Sequence, residues 1–150
     1  MKPVCTLVLL ANQDEARFLI NEGVGKGLRS VLALSARQFP EIDNWYSDRS
    51  GRGGIRPDSG GQVQAYDRHE SEDEMIRERF ARRILETLAQ EWAGCGAGRL
   101  IVAAPAKMLG HLRAGLSADL RAALVADMPK DLLKIDLRDL PDHFKDVAAF

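Results

Sequence analysis

Gly60-Gly61-Gln62 is the tripeptide in this chain with the clearest chemical reading. Two adjacent glycines permit backbone geometry that residues with side chains resist. A glutamine held there sets a polar backbone or amide group beside an ester under attack by water, as an oxyanion donor or a water-positioner. Tyr66 and Arg68 follow, and then a charged helix. The plainer reading is a glycine-rich loop in which the tripeptide is incidental, because motifs this short often arise by chance.

The same stretch carries Arg49, Arg52 and Arg56 among glycines. Arginines on such a loop can approach phosphate closely and bind it in a bidentate fork. Asp48, Asp58 and Asp67 dilute that charge, so a solvated loop shaped by Asp48–arginine pairs is the favoured reading and RNA or phosphate binding the alternative. Trp45 and Tyr46 could stack on RNA bases, but the reading favoured here is that they anchor this stretch against the domain. Lys107, His111 and Arg113 follow an apolar run near a helix start, a place suited to anions. The alternative is a polar helix face over a sheet. Lys107 and Arg113 join the three loop arginines as candidate RNA- or phosphate-binding residues. The histidines at 69, 111 and 143 have no metal-ligand spacing with one another or with a cysteine. Asp14 and Glu15 lie in a turn where a carboxylate could hold a metal, yet no companion set accompanies them. No nucleophile elbow, phosphate-binding loop or dinucleotide fingerprint is present. The sequence therefore calls for no metal and no cofactor.

The elements that must position these residues are readable in part. Thr6–Ala11 is a continuous apolar run that fits a strand buried on both faces. Asn12–Asp14 are turn residues, and 16–21 reads as an antiparallel partner strand. Leu28–Leu34 reads as a third strand, with a helix as the other possibility. Residues 36–70 show no sustained period and hold prolines 40 and 57 and glycines 51, 53, 54, 60 and 61. They are expected to form a long Gly/Arg-rich loop, mobile and with few buried apolar contacts between about Asp48 and Tyr66 until a partner binds. Ser71-Glu72-Asp73-Glu74 has the form of a capping box, predicting a helix over 72–93. Ile76, Phe80, Ile84, Leu85, Leu88 and Trp92 supply its apolar face, and Gly94 or Gly96 its end. Leu100–Ala104 predicts a buried strand, Pro105 the first turn of a helix to about Leu112, and Ser117 a cap. Leu124–Met128 predicts a fifth strand. Asp139, Pro141 and Asp142 open a last helix with Leu140, Phe144 and Val147 on one face. This order predicts a single α/β domain over 1–150, with a mixed central sheet and packed helices.

Bulk properties narrow the function. The chain has 150 residues and a formal net charge of −1, which argues against a globally basic nucleic-acid binder. Its two cysteines, Cys5 and Cys95, fit a reduced cytosolic chain, with a disulfide between them left open. No export signal follows Met1-Lys2-Pro3, and no apolar run is long enough to span a membrane. The expected location is the cytoplasm, without membrane association.

Several segments, in order along the chain, resemble one bacterial family. They are Leu7–Leu10 with Ala16-Arg17-Phe18, the run Ser47-Asp48-Arg49-Ser50-Gly51-Arg52, and Arg79-Phe80-Ala81 on the long helix. Val102-Ala103-Ala104-Pro105 before Leu109-Gly110-His111-Leu112-Arg113, then Lys130-Asp131-Leu132 and Leu140–His143, complete the set. The chain resembles the "protein required for attachment to host cells" family, a bacterial relative of archaeal and eukaryotic release factors. That resemblance implies the fold of the release-factor middle domain, related to ribonuclease-H-like sheets. It also implies a ribosome- or tRNA-associated binding module. The rival is a protein-interaction or regulatory domain that affects attachment indirectly. Class-1 release factors use Gly-Gly-Gln at the ribosomal peptidyl-transferase centre, so Gly60, Gly61 and Gln62 would be the catalytic residues if peptidyl-tRNA were hydrolysed. A non-enzymatic role is the favoured expectation, because such factors also carry a decoding domain that this chain has no room for.

Overall fold

The computed structural model describes residues 4–51 and 61–150, with 47–51 and 61–69 given as backbone only. Five strands form one mixed sheet in the order β3-β2-β1-β4-β5. The strands are β1 (Thr6–Ala11), β2 (Glu15–Asn21), β3 (Arg29–Ser35), β4 (Arg99–Ala103) and β5 (Leu124–Met128). β1 pairs antiparallel with β2, and β2 with β3, while β1–β4 and β4–β5 are parallel. Leu9 at the sheet centre stands opposite Phe18 on one side and Val102 on the other.

The pleat sends alternate side chains of β1 to opposite faces. Leu7, Leu9 and Ala11 join Phe18, Leu100 and Val102 under the long helix α2 (Gly61–Cys95). Val8 and Leu10 join Leu19, Ile101 and Ala103 under the C-terminal segment, through Leu132, Leu133, Leu140 and Phe144. Both faces are covered, which is why β1 reads as an unbroken apolar run. From α2, Ile76, Phe80, Ile84 and Leu88 are buried at four-residue spacing, as predicted. The helix ends at Cys95, where Gly96 takes the positive φ of 67° that terminates helices. α3 (Ala106–Gly115) crosses back after β4, with Pro105 as its N-cap. Ser117 caps α4 (Ala118–Ala123) by accepting from the Leu120 N–H at 3.3 Å.

Three expectations are corrected. Stretch 36–70 is not one long loop. A short 3-10 turn (Ala36–Gln38) leads into α1 (Pro40–Gly51), and α2 already begins at Gly61. Pro40 is pre-shaped for a first helical turn, and Glu41 and Asp43 suit its dipole. The Ser71 box is not a helix start. Residues 62–93 contain neither glycine nor proline, so nothing interrupts the helix before Ser71. The last helix shrinks to one turn, α5 (Leu140–His143), so Phe144 is buried just beyond it while Val147 stays exposed. Cys5 and Cys95 are half-buried free thiols. No helix among the described residues is long and apolar enough to cross a membrane.

Candidate functional site

α1 lies along α2 through a seam made mostly of arginines and aromatic rings. Arg37 sits over the Tyr46 ring at 4.6 Å, Arg79 over Trp45 at 5.4 Å and Arg83 over Phe39 at 4.9 Å. Arg79 also donates to the Glu41 carbonyl at 2.7 Å, and Arg83 Nε donates to the Glu41 carboxylate at 2.5 Å. That bond holds Glu41 below the ordinary carboxylate range. Tyr46 donates to Asp14 Oδ1 at 3.2 Å. Burial, and then the Asp14 carboxylate, push the Tyr46 hydroxyl above its ordinary value. Trp45 and Tyr46 thus anchor α1 to the domain, the role the sequence favoured over base stacking.

A cleft of about 390 Å³ opens at the carboxyl ends of β1 and β4. The β1–β2 turn (Asn12, Gln13, Asp14), Arg77, the first turn of α3 and Asp131 line it. The turn is rigid because Asn12 Oδ1 accepts from the N–H groups of Asp14 and Glu15, both at 2.8 Å. Asn12 Nδ2 reaches across to Asp131 at 3.1 Å. Arg77 has a side chain only 12% exposed and pairs with Glu74 on its own helix, while donating to Gln13 at 3.3 Å. His111 Nε2 lies 2.5 Å from Glu74 Oε1 and ties α3 to α2. Burial favours a neutral Glu74, but His111 and Arg77 together hold its carboxyl below the ordinary range.

The predicted site residues scatter over this frame. Gly61 and Gln62 form the opening of α2, and Arg49 lies on α1, with backbone alone described for all three. Gly60, Arg52 and Arg56 lie outside the described residues. Lys107 is exposed beside the cleft, 3.8 Å from Glu70. Arg113 is held by Asp127 through a bidentate pair at 2.5 and 2.6 Å, which keeps Asp127 below its ordinary value. Arginines 77, 79 and 83 of α2 are all engaged within the chain. Among the described residues, no three histidine, cysteine or carboxylate side chains gather to hold a metal. The sequence reading missed the cleft as a unit. Its one signal was the Asn-Gln-Asp turn directly after a buried strand.

Comparison with known proteins gives a family. Residues 5–144 match bacterial archaeo-eukaryotic release factor family 12, and the chain belongs to that family. No curated protein matches it. The fold is similar to that of an archaeal translation termination factor, aRF1, with a TM-score of 0.51 at 14% identity. The match covers 96% of this chain but 35% of the archaeal one, so the chain spans about a third of that factor's length. The family description names release factors and does not mention attachment to host cells.

Proposed function

We propose that this family member is a ribosome-associated binding module that offers the leading end of α2 to the translation apparatus. One observation carries the reading. Gly61 and Gln62 open a 35-residue helix, with Gly61 fifteen residues ahead of Ile76 on its sheet-facing stripe. At 1.5 Å per residue the interval is about 22 Å. The glycine-glutamine end therefore opens a helix about 52 Å long, while the strands beneath its packed part have five to seven residues and run about 17–24 Å. A tripeptide at the leading end of a long helix suits delivery into a partner's recess, and the release-factor kinship supports the ribosome as that partner.

In this reading Arg49, Arg52 and Arg56 contact RNA phosphates, and Lys107 adds an exposed ammonium. Arg113 contributes only by leaving Asp127. Gly60, Gly61 and Gln62 matter for hydrolysis only if the isolated chain releases peptide, and the expectation is that it does not. Co-sedimentation with ribosomes at low and high salt tests the reading, alongside peptide release from stalled complexes. Binding should weaken as salt rises, and Arg52→Ala should weaken it and flatten its salt dependence. Gly61→Ala should leave binding nearly intact. Release that Gly61→Ala abolishes would make the module an enzyme. Absence of ribosome binding at low salt would overturn the proposal and leave a protein-interaction domain.

A further inference from the structure

The cleft at the carboxyl ends of β1 and β4 is a different feature from the Gly61–Gln62 end of α2. β1 and β4 are adjacent and parallel, yet the chain leaves them in opposite directions. β1 turns back into β2, whereas β4 runs into α3 and on towards β5. Open α/β sheets bind ligands at such divergence points, because no connection fills the crevice. A volume of about 390 Å³ is enough for a small ligand.

The lining selects the ligand. Its formal charges cancel, with Arg77 and Lys107 against Asp14 and Asp131, so nothing favours a strongly charged molecule. Pro105 and Ala106 give one apolar wall, while Met108 beside them is buried in the core. The opposite side offers a mixed hydrogen-bonding edge. Asp14 accepts from Tyr46 at Oδ1 and has no partner at Oδ2 among the described residues. Asn12 uses one N–H of its amide on Asp131 and keeps the other. Arg77 keeps N–H groups beyond those given to Glu74 and Gln13. A flat, neutral ligand with donors and acceptors along one edge answers all of these features.

We propose that this cleft binds a nucleobase, with a preference for guanine, stacked on Pro105 and Ala106 and read at its edge by Asp14 and Asn12. Guanine presents adjacent N–H donors to a carboxylate and an oxygen to an amide N–H, whereas adenine offers no such donor pair to Asp14. The base can come as a free nucleoside or as an unpaired residue of RNA.

Nuclear magnetic resonance of the full chain distinguishes the sources without a ribosome, so its result is independent of ribosome binding. The chain is titrated with guanosine, adenosine, cytidine and uridine, and with short single-stranded RNAs that contain or lack guanine. Saturable shifts confined to 12–14 and 105–108 are expected, with guanosine at least about tenfold tighter than adenosine. Asp14→Asn should remove most of that preference, and Ala106→Leu should abolish binding by filling the apolar wall. The dispersed amide spectrum of each variant checks that it folds. Shifts with guanosine alone support a free nucleoside, and shifts only with guanine-containing RNA support a base presented by the chain. No saturable shift with either, equal affinity for all bases, or binding unchanged in both variants overturns the proposal.

Discussion

α2 makes two contacts of opposite chemistry along neighbouring stripes of one helix. Towards the sheet it buries Ile76, Phe80, Ile84 and Leu88, none of which keeps any exposed surface. Towards α1 it presents Arg79 and Arg83, which stack on Trp45 and Phe39 and bond to Glu41. Among its described side chains, α1 gives the core one fully buried apolar residue, Ile42. The first contact is held by area removed from water, which is non-directional and large in sum. The second is held by directional pairs that water and salt can replace. Neighbouring stripes of one rigid helix should therefore open under different conditions, the sheet contact with global unfolding and the α1 seam before it.

The largest expected effect tests the apolar stripe. Phe80 is fully buried between the sheet core and Phe39, whose ring centroid lies 6.4 Å away. Phe80→Ala should cost about 3–5 kcal/mol of global stability, read from the midpoint of denaturant unfolding. A loss under about 1 kcal/mol would mean that the helix does not depend on this packing. A smaller effect tests the seam. Arg79→Ala removes the stack on Trp45 and the bond to the Glu41 carbonyl, together about 1–2 kcal/mol. Its signature is local: hydrogen exchange should speed up in α1 and leave β1 and β4 unchanged. Equal acceleration in the strands would erase the distinction between the two contacts.

The same contrast explains what the sequence disclosed. β1 and β4 were legible because burial on both faces demands unbroken apolar runs, and the sheet-facing stripe of α2 because its period is that of a helix. α1 was hidden because Trp45, Tyr46 and Ile42 lie among charges whose partners, Arg79 and Arg83, are more than thirty positions away. No local period records such pairings. Ser71 misled for a related reason: a capping box is a local pattern, and it operates only where the chain before it is not already helical. Part of the candidate site was readable, since Trp45 and Tyr46 were favoured as anchors. The cleft was not, because the parallel pairing of β1 with β4 brings Asn12–Asp14 beside Arg77 and Pro105–Met108, and only the assembled sheet joins them.

The smallest effect separates the two contacts by pH. Arg83 bonds the Glu41 carboxylate and holds its pKa below the ordinary glutamate value in the folded chain. A carboxyl depressed by folding adds stability that is fully present above its unfolded pKa, about 4.3, and is lost as pH falls through the folded value. The apolar stripe has no such dependence. Acid should therefore loosen α1 while α2 remains on the sheet. Trp45, on α1, and Trp92, near the end of α2, report on the two regions in single-tryptophan variants. As pH falls below about 4, the emission of Trp45 should shift towards that of a solvated indole before that of Trp92. Glu41→Gln cannot lose a proton, so it should weaken the seam at neutral pH and remove this early acid step. If Trp45 and Trp92 respond together in the parent chain, or if Glu41→Gln leaves the early step in place, the Glu41–Arg83 pair is not what distinguishes the seam from the core.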